Sequence, residues 1–168
     1  MNKPTIRKIR ADELHKLIAL YKHLHPHDAP LPPVEDLQKI WNEILANPSI
    51  HYFVIEEELV IEGDTTGKRA KPITAESYLV ASCTLTIIPN LTRGARPYGV
   101  IENVVTDPAY RKRGYGTTIL HRALETAWNA HCYKVMLMTG SKRAETLRFY
   151  EQAGFVRGDK TGFIARPA

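Results

Sequence analysis

Residues 98–130 join "YGVIENVVT", a near-continuous apolar run, to an amphipathic stretch through "DPAYRKRGYG". The run is β-branched and short enough for a strand buried on both faces, and therefore central to its sheet. From Tyr115 the period changes: Ile119, Leu120, Ala123, Leu124, Ala127 and Trp128 recur every three to four residues, down one side of a helix. The segment from 99 to 130 therefore reads as strand, glycine-containing turn, helix. It also builds a site. The N–H groups of the turn and of the first helical turn converge on one point, with the positive end of the helix dipole behind them, which suits an anion. Gly114 and Gly116 let the backbone approach a phosphate without a Cβ in the way, Thr117 adds a hydroxyl donor, and Arg111, Lys112 and Arg113 add long-range attraction. Taken alone, the same residues also fit an ordinary turn with a solvated basic rim.

Upstream, "TIRKIR" reads as a short strand and "ADELHKLIALYKHL" as an amphipathic helix with Leu14, Leu17, Ile18, Tyr21 and Leu24 at helical spacing. "HPHDAPLPP" is a proline-loaded loop, after which Val34, Leu37, Ile40, Trp41, Ile44 and Leu45 form a second apolar helix face that Asn47 and Pro48 end. "IHYFVIEEELVI" and "SYLVASCTLTII" read as strands of a hairpin with a long exposed tip between them. Downstream, "CYKVMLMT" reads as a strand, residues 143–153 as a helix stopped by Gly154, and "GFVRGDKTGFIAR" as a closing hairpin.

At 168 residues the chain is expected to form one domain, 1–168, with 43% hydrophobic and 24% charged residues, as in ordinary globular proteins. The net charge of +5 suits a phosphate-bearing partner, yet no aromatics interleave the basic residues as a single-strand binder requires, so nucleic acid is not expected. No apolar run approaches the ~18 residues of a membrane span, and the polar start "MNKPTIRKIR" lacks a signal-peptide core, so a cytoplasmic protein with no membrane partner is expected. Cys83 and Cys132 are too few for a disulfide framework and read as buried thiols. His23, His25 and His27 cluster at odd spacing in the proline-rich region without a cysteine nearby, so no metal is expected there.

Neither familiar phosphate loop fits residues 111–117, because there is no G-x-G-x-x-G and no G-K-[ST]. Arg111-Lys112-Arg113-Gly114-Tyr115-Gly116 instead resembles motif A, [QR]-x-x-G-x-[GA], of the GNAT superfamily of acetyl-CoA-dependent N-acetyltransferases. "VIENVVT", "DPAYR" and the later "LRFYEQAGF" are similar to the rest of that family's core, in the same order and spacing across residues 99–156. The earlier order of strand, helix, helix, strand, strand agrees, so the resemblance covers nearly the whole chain. Within the superfamily, "RGARPYGVIENVV" and "CYKVML" are similar to stretches of glucosamine-6-phosphate N-acetyltransferases, over the half that reports on the cofactor more than on the acceptor.

The resemblance implies a single α/β (α+β) domain. Its sheet is expected to be mixed and mostly antiparallel, with six to seven strands, a splayed parallel pair and about four flanking helices. It implies acetyl-CoA as co-substrate and transfer of its acetyl group to a primary amine of a small molecule, by direct attack in a ternary complex. A protein or peptide amine as acceptor, and a non-catalytic acyl-CoA-binding module, stay open, as does a homodimer. In this reading the pyrophosphate rests on the N–H groups of residues 112–117, Tyr115 among them, and the pantetheine arm pairs like an added strand with Asn103, Val104 and Val105. Met138 and Thr139 then lie near the thioester.

Tyr150 matches the family's tyrosine beside the CoA sulfur, where a phenol can protonate the departing thiolate; a half-buried helix tyrosine is the structural alternative. Where the family often has a cofactor-contacting Asn, this chain has Arg143 and Thr146. Glu102 falls where an acidic residue often serves as general base. A carboxylate in so apolar a run needs a partner or a cavity, so a brace for Arg93 or Arg96 is the alternative. In a regular strand it points away from Asn103 and Val105. His25, His27 and Asp28 are substrate-contact candidates, since the family's helix-to-helix region helps shape the acceptor pocket.

Overall fold

A computed structural model describes residues 4–24, 27–61 and 74–167. The chain runs β1 (Ile6–Lys8), a 3-10 turn (Ala11–Glu13), α1 (Leu14–Tyr21), α2 (Val34–Ala46), β2 (Ile50–Ile61), β3 (Thr74–Ile88), α3 (Thr92–Ala95), β4 (Tyr98–Thr106), a second 3-10 turn (Pro108–Tyr110), α4 (Tyr115–Asn129), β5 (Val135–Leu137) and α5 (Ala144–Gln152). α3 is a single turn in which Arg93, Gly94 and Ala95 all have positive φ.

The strands form one sheet in the order β1-β2-β3-β4-β5, antiparallel except for the parallel pair β4 and β5. Alternation along β2 divides the core: Phe53 and Ile55 face one side, Val54 the other. On the first side α4 buries Ile119, Leu120, Ala123 and Ala127 against Cys83, Leu85 and Ile101. On the second, Leu17 and Leu20 of α1 and Trp41 of α2 pack with Val54, Leu79 and Val105. Both cysteines are buried free thiols, as the sequence reading expects.

Three expectations need correction. The sheet has five strands among the described residues, rather than six or seven. No closing hairpin forms among the described residues of "GFVRGDKTGFIAR": Phe155 packs on the core, but Val156, Phe163 and Ile164 are all exposed. The strand predicted over residues 132–139 shrinks to Val135–Leu137. α2 touches the core along a narrow edge, with Trp41 buried, its indole N–H donating to Ala11 O at 2.8 Å, while Val34, Ile40 and Leu45 stay exposed. The hairpin arms run to Ile61 and from Thr74, and its expected long tip lies outside the described residues.

β4 meets β5 only over Gly99–Ile101. Beyond Ile101 the strand continues to Thr106 with no partner strand on that side among the described residues, so the parallel pair splays open. The splay begins beside a bulge. Thr84 pairs with Glu102 and Ser82 with Val105, leaving Asn103 and Val104 opposite the single residue Cys83. Asn103 takes φ 53°, which Asn tolerates better than most residues.

Candidate active site

The bulge redirects the side chains around it. Ser82 and Thr84 share a face of β3, and partners directly opposite in a ladder share a face, so Glu102 and Val105 point to the same side. This corrects the regular-strand reading, in which they oppose. That side is the one covered by α1 and α2. β4 is central by pairing, yet Glu102 itself is exposed rather than enclosed. Neither proposed brace meets it. Arg93 lies over the Tyr133 ring at 6.0 Å, and Arg96 donates to His131 O at 3.2 Å and Cys132 O at 3.3 Å.

Tyr150, half-buried on α5, sits with its ring 4.9 Å from Phe149 and edge-on to Phe155 at 6.3 Å. Burial, and then the nearby Glu102 carboxylate, push its phenol above the ordinary tyrosine range. The structure therefore brings together two residues that the sequence separates widely.

The turn before α4 has the shape of an anion nest. Lys112 (φ 61°) and Gly114 (φ 82°) are left-handed while Arg113 between them is not, which turns successive N–H groups toward one concavity. Thr118 closes the first helical hydrogen bond, onto Gly114 O at 2.9 Å. The N–H groups of residues 112–117 have no backbone acceptor among the described residues. The two glycines do different work. Gly114 supplies the left-handed φ in open space, whereas a Cβ on Gly116 would stand 3.0 Å from the Phe149 ring, so Gly116 permits α4 and α5 to pack closely.

The flanking side chains are tied down. Arg111 Nε donates to Thr106 O at 3.2 Å, and Arg113 lies over the Tyr110 ring at 4.9 Å. The Tyr115 hydroxyl donates to Glu57, which with burial raises the phenol's pKa, so Tyr115 offers the nest its backbone rather than its phenol. Thr117 is half-buried in the first turn of α4.

Thr139 lies just past β5, accepting from Ser141 N at 3.2 Å, beside the exposed Met138. Arg143 pairs with Glu145 at 2.7 Å, and Thr146 accepts from Ser141 Oγ at 3.1 Å. Of the acceptor-side candidates, His27 and Asp28 are exposed, Asp28 accepting from Ala29 N at 2.9 Å, and His25 lies outside the described residues. No group of three or more His, Cys, Asp or Glu residues among the described residues is arranged to hold a metal. No helix among them is long and apolar enough to cross a membrane.

Sequence reading missed a polar cluster on the α1 side of the sheet: Tyr21 of α1 with Ser82 and Thr84 of β3, whose buried hydroxyls make no well-formed hydrogen bond among the described residues. Ser and Thr inside the apolar run "LVASCTL" were the available signal.

Comparison with known proteins agrees with this geometry. Residues 14–155 match the Acetyltransferase (GNAT) family. A glucosamine 6-phosphate N-acetyltransferase of Trypanosoma brucei brucei is 43% identical over 77 residues, 46% of this chain and 50% of that protein, so the match spans about half the relative's length. A putative acetyltransferase from Agrobacterium tumefaciens superposes with a TM-score of 0.78 at 41% identity, covering 97% of this chain and 99% of the other. The glucosamine-6-phosphate N-acetyltransferase of Arabidopsis thaliana shares the fold, with a TM-score of 0.74 at 23% identity over 99% of each chain. The strand–nest–helix unit, the splayed pair and a match spanning most of the chain thus agree: the protein belongs to the GNAT acetyltransferase family.

Proposed function

We propose that this protein transfers the acetyl group of acetyl-CoA to the primary amine of a small molecule, by direct attack within a ternary complex. The observation that carries the reading is the splay of β4 from β5, flanked by Glu102 on β4 and Tyr150 on α5, with the nest of residues 112–117 beyond it.

The nest's N–H groups and the α4 dipole fit the pyrophosphate of acetyl-CoA, and Arg111, Lys112 and Arg113 draw it in. The unpartnered stretch of β4 offers Asn103, Val104 and Val105 to the pantetheine arm as a strand edge. Thr139 and Met138 border the thioester from the β5 side. Glu102, directly or through a water, takes a proton from the incoming ammonium group, and the freed nitrogen lone pair attacks the thioester carbonyl. Collapse of the tetrahedral intermediate breaks the carbon–sulfur bond, and Tyr150, kept protonated by burial and by Glu102, gives its proton to the leaving thiolate. His25, His27 and Asp28 stand as acceptor contacts.

A phosphorylated amino sugar is the first acceptor to test, because the Trypanosoma relative is named for glucosamine 6-phosphate. The experiment is a free-thiol release assay with acetyl-CoA against amines, amino sugars including glucosamine 6-phosphate, and peptides. Turnover with a small amine supports the reading. Turnover with peptides alone moves the acceptor to proteins, and acetyl-CoA binding without any thiol release makes the chain a binding module.

A further inference from the structure

Three buried hydroxyls gather on the α1 side of the sheet. Ser82 is fully buried, Thr84 is 6% exposed, and the Tyr21 hydroxyl lies close enough to both to interact with them. Among the described residues none of the three makes a well-formed hydrogen bond; Tyr21 has only Thr84 and Ser82 near enough to pull its phenol's pKa back against the larger upward push of burial. Buried polar groups are normally satisfied, and three together in one place call for a physical account.

Their surroundings do not require them. Leu17, Leu20, Trp41, Val54, Leu79 and Val105 make the cluster around them apolar, so Val, Ala and Phe at these positions would fill the space without unmet hydrogen bonds. What distinguishes the location is the ladder. Thr84 stands directly opposite Glu102, on the same face, and Ser82 opposite Val105, so the hydroxyls lie alongside the bulge that aims Glu102. Residues so paired have Cβ atoms about 4.5–5.5 Å apart, within reach of a hydroxyl and a carboxylate. The Glu102 carboxylate is exposed, and it acts on the Tyr150 phenol.

We propose that Tyr21, Ser82 and Thr84 are positioning residues for acetyl transfer, their hydroxyls forming a donor chain whose last member, Thr84, steadies the Glu102 carboxylate toward the acceptor amine. Each hydroxyl can donate one bond while accepting another, so once an acceptor is seated Ser82 donates to Tyr21, Tyr21 to Thr84, and Thr84 to the carboxylate. An acceptor seated over the exposed Glu102 takes its carboxylate out of solvent, and the chain supplies a hydrogen bond in place of those solvent would give. The inference rests on Glu102 acting in the proposed reaction.

The test is a set of double-mutant cycles. Thr84→Val, Tyr21→Phe and Ser82→Ala are made in the native chain and in a Glu102→Gln background. Turnover is measured with acetyl-CoA and glucosamine 6-phosphate, or with the amine of the panel turned over fastest, alongside melting temperature. Thr84→Val and Tyr21→Phe should each lower kcat about tenfold. KM for acetyl-CoA should be unchanged and the melting temperature unchanged or raised, and neither change should cost anything further in the Glu102→Gln background. Equal losses in both backgrounds, or full turnover with a raised melting temperature, would overturn the chain while leaving Glu102 in place. Full activity in Glu102→Gln itself, or no turnover of any amine by the native chain, would overturn the chain together with the function on which it rests.

Discussion

Tyr150 of α5 lies close enough to Glu102 of β4 that the carboxylate, added to the larger effect of burial, holds the phenol in its protonated form past the ordinary pKa of 10.0. A phenol that keeps its proton is the state a donor to a leaving thiolate needs, so turnover should not lose this group below pH 10.

Tyr150→Phe retains the ring that packs on Phe149 and Phe155 and removes only the hydroxyl. Acetyl-CoA affinity by calorimetry should be unchanged, while kcat falls about 100-fold. Native turnover in this variant would return Tyr150 to the half-buried packing role.

The two glycines of the nest should respond differently. Gly114 has open space around its Cα but φ 82°, so Gly114→Val meets no neighbour yet forces a β-branched residue into the left-handed region, costing about 1–2 kcal/mol. Its N–H groups then turn out of the concavity, and the rise in melting temperature on adding acetyl-CoA should shrink. Gly116→Ala instead presses on Phe149 and shifts α5, so its signature is a loss of kcat through the neighbouring Tyr150. An undiminished acetyl-CoA response in Gly114→Val would move the phosphate site elsewhere.

The strand, turn and helix that carry the candidate site were legible in the sequence where chemistry and period coincide. The apolar run of β4, the change of period at Tyr115 and the spacing of Arg111, Gly114 and Gly116 carry local information, and the strand, turn and helix follow from it. The orientation of Glu102 was not legible, because it depends on a bulge whose single sequence mark is Asn103 in "VIENVV". The Tyr21, Ser82 and Thr84 cluster joins α1 to β3, a tertiary contact that no spacing along the chain encodes. The closing hairpin was over-read for the opposite reason: turn residues and a few apolar ones are present, but Val156, Phe163 and Ile164 stay exposed and only Phe155 reaches the core.

Acid stability should report on the ion cluster beneath β1. Desolvation opposes the Glu56 charge, but hydrogen bonds from Ser77 and Arg7 and the charges of Arg7 and Arg10 hold its pKa down to about 2 from the usual 4.5. The unfolded chain thus binds a proton at Glu56 before the folded chain does. This stabilisation is present above pH 4.5 and is lost as pH falls through 2. Glu56→Gln should lower the melting temperature by a few degrees at pH 7 and flatten its decline between pH 4.5 and 2. Native and variant curves that stay parallel over that window would assign the acid sensitivity to other carboxylates.

Glu102→Gln separates base from brace. An acceptor amine arrives protonated near neutral pH, so attack requires a group to remove the proton, and the amide cannot do so. Turnover should fall about 100-fold at neutral pH and recover in part as pH rises, because solvent then supplies free amine. Stability should hold, since Glu102 is exposed and Arg93 and Arg96 are engaged with Tyr133 and with the carbonyls of His131 and Cys132. A brace predicts the reverse, a lowered melting temperature with the pH–rate profile unshifted. A Glu102→Gln profile parallel to that of the native protein would remove the base role and pass the amine's proton to solvent.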